Sequence, residues 1–265
     1  MARSQQHRRS RTLSQNFLTD RATAARVVRA ARPDPAGLLL EVGPGKGALT
    51  TALAPHCREL RAYEIDAGLV PELRSTFAAA PHVRVYERDF VTVRPPREPF
   101  AVVGNVPFSR TADIVDWCLR APALTDATLI TQLEYARKRT GDFGRWSLRT
   151  VETWPYVEWL LLGRVGRREF RPVPRVDAAI LRLERRPRPL LPTAQLADYR
   201  RLVEVGFSGV GGSLYASLRR AGHARRRLDA AFETAGVDRT AIVAFVPPAA
   251  WLTLHLKLNE TSRLV

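Results

Sequence analysis

The sequence predicts a doubly wound α/β domain, a mostly parallel seven-stranded sheet with an edge hairpin, followed by a small all-helical C-terminal domain. Three observations predict it. From about residue 38 to residue 140, short apolar runs alternate with helical stretches, the pattern of a sheet covered by helices on both faces. A glycine-rich turn, Gly43-Pro44-Gly45-Lys46-Gly47, follows the first of these runs. Beyond the Pro- and Arg-rich stretch 185–192 no strand-like run recurs. A chain of 265 residues, 45% hydrophobic, is long enough to bury such a core and carry an appendix.

Taken in order, residues 1–19 are polar and basic, with Arg3, Arg8, Arg9 and Arg11 unopposed by any acid, and read as a flexible arm that meets the backbone of a nucleic acid. Asp20 is placed to cap a helix whose apolar face is Ala24, Val27, Val28 and Ala31 and which ends before Pro33. Strands are predicted over 38–42, 60–65, 83–86, 100–104 and 128–131. Helices are predicted over 48–54, 67–79, 109–119 and 133–140. The runs 157–162 and 178–183 flank a basic, proline-punctuated segment and read as the edge hairpin. Helices over 194–205, 213–220, 223–235 and 249–258, separated by glycines and by Pro247-Pro248, form the C-terminal domain. The division expected is an arm over 1–19, a catalytic domain over 20–186 and a helical domain over 193–265.

The formal charge is +16, from 42 basic and 26 acidic residues, and 39 of the basic residues are arginine. GC-rich codons account for arginine over lysine but not for the excess of bases over acids. That excess points to a polyanionic partner, for which guanidinium forks and flat faces are suited. No apolar run is long enough to span a membrane and the N-terminus has no apolar signal core, so a cytoplasmic protein is expected. Cys57 and Cys118 form no CxxC spacing and read as reduced structural thiols. The histidines have no ligand spacing, so no metal is expected. No heptad or long apolar stripe demands a second copy, and a monomer is the default.

The glycine turn lets backbone pass close to a ligand where a strand meets a helix, which marks a nucleoside-cofactor site. Gly43, Gly45 and Ala48 also fit the loose G-x-G-x-x-A pattern, leaving a nicotinamide enzyme open on that match alone. Lys46 lies in the turn, but the phosphate-binding G-x-x-x-x-G-K-[ST] arrangement is absent. Glu41 is suited to the ammonium of a methionine-like moiety, Glu64 with Ile65 to ribose hydroxyls, and Asp89 with Phe90 to an adenine amine and ring. A cap or turn role is the plain alternative for Asp89.

Asn105-Val106-Pro107-Phe108 follows the fourth predicted strand, at the sheet edge where reacting groups collect. The Asn105 side-chain oxygen and the Val106 carbonyl can accept the two hydrogens of an exocyclic amine, and Pro107 fixes the backbone without donating. Two acceptors favour pyramidalisation of an adenine N6 and stabilise the positive charge that develops as a methyl arrives. Phe108 can stack on the extruded base, a contact that tolerates any base, so specificity comes from elsewhere. Two further segments mix arginines with aromatic rings, as RNA binding does: Tyr135 to Ser147, with Arg137, Lys138, Arg139 and Arg145, and Arg164 to Arg175, with Arg167, Arg168 and Phe170.

Seven stretches together resemble the Erm family of ribosomal RNA adenine N6-methyltransferases, in its actinobacterial form, and more distantly the small-subunit dimethyladenosine transferases. They are Ser14-Gln-Asn-Phe-Leu18, Glu41-Val-Gly-Pro-Gly-Lys-Gly47, Tyr63-Glu-Ile-Asp66, Arg88-Asp-Phe90, Gly104-Asn-Val-Pro-Phe108, the run from Gln132 to Ser147, and Phe170-Arg-Pro-Val-Pro-Arg-Val-Asp177. The resemblance implies a Rossmann-like S-adenosylmethionine-dependent methyltransferase fold, with S-adenosylmethionine as cofactor and S-adenosylhomocysteine as product. It assigns Gln15, Asn16 and Leu18 to the methionine end of the cofactor site, with Asn105 shared between cofactor and target. Phe170 becomes a second aromatic contact beside Phe108. The implied partner is 23S rRNA, protein-free or in an immature large subunit, methylated at the adenine of the macrolide-binding site, with resistance to macrolides, lincosamides and streptogramin B as the consequence. Small-subunit rRNA dimethylation is the alternative within the same chemistry.

Overall fold

The computed structural model describes residues 16–209 and 212–260. Within them the chain divides into two compact units, one of residues up to 136 with 160–185, the other of 137–159 with 186 onward. No single cut in the chain separates them.

The first unit begins with β1 (Phe17–Leu18) and α1 (Arg21–Ala31). Asp20 caps α1 by accepting from the Thr23 amide at 2.7 Å, and the helix buries Thr23, Ala24, Val27 and Ala31. A two-residue strand, β8 (Phe170–Arg171), pairs antiparallel with β1, so that Leu18 lies opposite Phe170. Thr19 and Thr23 both donate to Glu169. Residues 16–19 are thereby part of the fold, where the sequence had suggested the end of an arm.

The main sheet comprises β2 (Leu38–Val42), β3 (Glu59–Glu64), β4 (Val83–Glu87), β5 (Phe100–Asn105), β6 (Leu124–Gln132), β7 (Val157–Val165) and β9 (Ala178–Arg185). Its order is β4-β3-β2-β5-β6-β9-β7. The first five strands are parallel neighbours, and β9 joins β6 antiparallel. Helices α2 (Ala48–Leu53), α3 (Val70–Thr76) and α4 (Thr111–Arg120) make the crossovers. All five residues of β2 are buried, as its uninterrupted Leu-Leu-Leu-Glu-Val predicts for a central strand. Gly104 of β5 faces Val42 so closely that a Cβ there would stand 2.7 Å from the Val42 carbonyl oxygen. The chain runs outward from β2 through β3 to β4, then returns to β5. This reversal puts the switch point, where α/β sheets bind ligands, between the carboxyl ends of β2 and β5.

In the second unit, α5 (Leu133–Thr140) contributes its last residues and is followed by α6 (Leu148–Thr153), which the sequence reading missed. Ser147 caps α6 by accepting from the Thr150 amide. Four further helices, α7 (Leu196–Phe207), α8 (Leu214–Arg220), α9 (Arg225–Ala235) and α10 (Pro248–Asn259), bury a core around Tyr199, Leu214, Phe232 and Trp251. Val151 of α6 belongs to that core, and its carbonyl accepts from the Tyr199 hydroxyl at 2.9 Å. Cys57 and Cys118 are free thiols, and burial pushes them up to about 11 and about 12 respectively. Among the described residues no helix is long and apolar enough to cross a membrane, and no three His, Cys, Asp or Glu side chains are grouped to hold a metal.

Candidate active site

A cleft at the switch point is lined by Gly43 and Gly45 from the turn after β2, by Glu64 and Ile65 after β3, by Asp89 and Phe90 after β4, and by Asn105 to Phe108 after β5. Four separate strand ends thus deliver most of the expected residues to one place.

The turn is held by a carboxylate. Glu64 is buried, and its two oxygens accept from the Gly45 and Asp66 amides, each at 2.9 Å. Burial raises its pKa, and the two amide bonds work in the opposite direction. Gly45 has φ +58°, and a Cβ there would stand 2.7 Å from the Phe17 ring. Phe17 and Asn16 line the cleft from β1 and the residue before it, and the Lys46 ammonium sits 5.5 Å from the Phe17 ring centroid. Beneath the far wall an aromatic series runs from Tyr63 to Phe90 to Trp117, with the last pair 4.4 Å apart between centroids.

On the target side, the Asn105 amide nitrogen donates to the Asn16 carbonyl at 2.7 Å. The reversed amide would set two oxygens against each other, so the contact fixes the Asn105 Oδ1 as the acceptor that remains for a ligand. Val106 is buried and its amide donates to the Ile130 carbonyl at 3.3 Å. The Pro107 carbonyl accepts from the Arg110 amide at 2.9 Å, which folds Phe108 into a single turn before α4. Phe108 is half-buried, with one part against the core and one part on the cleft.

Several expected contacts are corrected. Glu41 does not line the cleft. Strand alternation puts it on the face of β2 opposite Val42, which does. Its two oxygens have no hydrogen-bond partner. Burial pushes its carboxyl up to about 8, the nearby Thr50 hydroxyl, outside hydrogen-bonding geometry, offsets this in part, and the Glu64 carboxylate adds to it. Gly47 caps α2 with φ +79° and packs towards Leu73 and Phe77, away from the cleft. Leu18 is a core residue; the neighbouring Asn16 and Phe17 reach the cleft instead. Phe170 is fully buried in the same core, so it offers no surface to RNA and serves to anchor β1.

Of the basic residues expected to meet RNA, Lys138, Arg145 and Arg168 are exposed, as is Arg167, which pairs with Asp177 at 3.4 Å. Arg137 pairs with Asp142 at 3.0 Å. Arg139 is half-buried and donates to the Ser147 hydroxyl at 2.8 Å, a bond that braces the cap of α6. Arg8, Arg9, Arg11 and Gln15 lie outside the described residues. The reading also missed Arg110, which lines the cleft and pairs with Asp89 at 3.2 Å and Asp113 at 2.9 Å. No local pattern marks it, since the Asp89 partner is 21 residues away.

Fold and cleft together are those of an S-adenosylmethionine-dependent methyltransferase. The glycine cradle, the Glu64 carboxylate, the aromatic wall and a second half-open side carrying amide and carbonyl acceptors fit that cofactor beside an acceptor amine. A family model described as ribosomal RNA adenine dimethylase matches residues 6–260. The chain is 65% identical over 254 residues to an rRNA adenine N-6-methyltransferase of Streptomyces fradiae, covering 95% of this chain and 79% of the relative. It is 54% identical over 257 residues to an rRNA methyltransferase of Streptomyces thermotolerans, covering 97% and 86%. The crystal structure of the 23S rRNA methyltransferase ErmE superposes with a TM-score of 0.89 at 51% identity, covering 92% of this chain and all of the other. The chain belongs to the ribosomal RNA adenine N6-methyltransferases, on the Erm side of the family.

Proposed function

We propose that this enzyme transfers a methyl group from S-adenosylmethionine to the exocyclic N6 of the adenine at the macrolide-binding site of 23S rRNA, and so confers resistance to macrolides, lincosamides and streptogramin B. The observation that carries this reading is the Asn105 to Asn16 hydrogen bond of 2.7 Å, which commits the amide nitrogen and leaves the oxygen to the cleft. Gly43, Gly45, Glu64 and Ile65 hold the nucleoside part of the cofactor, and Asp89 and Phe90 border its base. When bound, S-adenosylmethionine supplies an electrophilic methyl on a sulfonium sulfur. Asn105 Oδ1 and the Val106 carbonyl accept from the N6 amine, which directs its lone pair at that methyl. With that cofactor bound, the same two acceptors would stabilise the positive charge of the amine as it takes the methyl group from sulfur, until one proton leaves to solvent. Phe108 stacks on the flipped adenine.

The RNA is met in protein-free or immature form by a monomer in the cytoplasm, where a buried target base is still reachable. Lys138, Arg145 and Arg168 supply exposed charge to its backbone. The test is expression in a macrolide-susceptible host. Resistance to all three drug classes is expected with the wild type and not with Asn105→Ala at equal protein level. Equal resistance from the two would remove Asn105 from the reaction, and none from either would reject the drug-site assignment.

A further inference from the structure

The cleft described above selects an adenine but not which adenine. Any adenine carries the N6 amine that Asn105 and Val106 accept from, and stacking on Phe108 tolerates every base. A second cavity, of about 320 Å³, opens at the carboxyl end of β6. Ile130 of β6 lies opposite Asn105, and Gln132 is two residues further along, about 7 Å at the rise of a strand. The Leu133 amide donates to the Asp177 carbonyl at 2.9 Å and ties this corner to the start of β9. The cavity is therefore on the same sheet edge as the reaction centre and within one nucleotide's step of it.

Gln132, Glu134, Arg167, Arg175, Val176 and Asp177 line it. Arg167 is committed, to Asp177 at 3.4 Å and to the Arg175 carbonyl at 3.3 Å. The Gln132 amide, the Glu134 carboxylate and the Arg175 guanidinium make no hydrogen bond or ion pair among the described residues. Val176 adds an apolar surface that is 44% exposed. With Asp177 paired to Arg167, the groups left to a ligand are one carboxylate, one guanidinium and an amide beside an apolar face, which suit a neutral group with donors on one edge and acceptors on another. Among the four bases only guanine sets two donors side by side, N1–H and the 2-amine, for one carboxylate, and its O6 and N7 suit an arginine. Adenine, cytosine and uracil would each turn a lone pair towards Glu134.

We propose that this cavity is the selectivity subsite of the enzyme and receives a guanine next to the target adenine. Glu134 accepts from its N1–H and 2-amine, Arg175 donates to O6 and N7, and Val176 lies against its face. The inference rests on the methyltransferase reading of the neighbouring cleft.

The test uses the full chain and hairpin RNAs carrying one target adenine, with the base on each side varied through the four nucleotides and inosine, which lacks the 2-amine. Methyl-transfer kcat/KM is read for the wild type, Glu134→Gln and Arg175→Ala, with cofactor affinity as the check that each variant folds. The wild type is expected to prefer guanine over inosine on one side of the target by about tenfold or more. Glu134→Gln reduces that preference to less than about threefold with cofactor affinity unchanged, and Arg175→Ala lowers transfer most on the guanine hairpin. A Glu134→Gln enzyme that keeps the wild-type preference overturns the proposal. So does one that gains equally on every hairpin, the mark of a backbone-phosphate site. Absence of transfer to any RNA would instead reject the methyltransferase reading itself.

Discussion

The glycine-turn wall of the cleft is pinned by the buried Glu64, whose oxygens accept from the Gly45 and Asp66 amides, whereas on the half-exposed opposite wall the Asn105 side chain donates to the Asn16 carbonyl and the Val106 amide and Pro107 carbonyl tie the backbone to Ile130 and Arg110. The first wall is pinned through the backbone amides of the turn itself. The second depends on Asn16, which adjoins the short strand β1, and β1 is held by its two-residue pairing with β8 while Thr19 and Thr23 donate to Glu169. A cofactor site can be rigid, because its ligand is small and constant. A target site has to admit a base drawn out of an RNA, and a wall closed by a short strand can be displaced without disturbing the main sheet.

The contrast breaks most readily at Phe170. Its burial makes it the anchor of β1 beside the Asn105 wall, so Phe170→Ala is expected to lower unfolding stability by about 3–5 kcal/mol in urea titration. It should leave the salt dependence of RNA binding unchanged. Unaltered stability with weakened RNA binding would return Phe170 to the surface role its sequence context suggested. Next in size, Asn105→Ala is expected to reduce kcat by about 10²–10³ while cofactor affinity, set by the other wall, stays within a factor of about 2. Loss of both in parallel would show that the two walls are one unit.

Gly45→Ala probes the rigid wall. An added Cβ meets the Phe17 ring at 2.7 Å in a left-handed turn, so cofactor affinity is expected to fall by about tenfold, with the Kd by calorimetry as the readout. Unchanged affinity would show that the turn yields. Glu41 offers a pH-dependent probe of the buried face behind the turn. Its folded-state pKa of about 8 lies above the ordinary carboxyl value of 4.5, so the folded state binds more protons and stability declines as pH rises between the two, levelling off above about 8. Glu41→Gln removes this dependence, and its Tm relative to wild type should therefore improve from pH 5 to pH 8. A difference in Tm that is the same at both pH values would mean Glu41 is charged in the fold.

The sheet was legible because a buried parallel strand needs an apolar run and a crossover needs helical spacing, and both show in one sequence. The strand-end residues Glu64, Asp89 and Asn105 were legible for the same reason, since their places follow from where each run stops. Glu41 misled because the sequence shows that an acid precedes the turn but not which face of β2 it takes. Phe170 misled because its burial depends on a strand pair 152 residues apart in register, Leu18 with Phe170, which no local pattern encodes. Arg110 was invisible for a like reason. The helix over Leu148–Thr153 had its Ser147 cap in plain view, but six residues carry too little periodicity to outweigh the basic loop before them.

The most direct measurement is transfer of labelled methyl from S-adenosylmethionine to protein-free large-subunit rRNA, with small-subunit rRNA and assembled small subunits in parallel, followed by mapping of the modified base. Label on N6 of the adenine at the macrolide-binding site of the large-subunit RNA is the predicted result. Label confined to small-subunit RNA would contradict the assignment of the target while leaving the Asn105 chemistry standing, and no label in any RNA would contradict both.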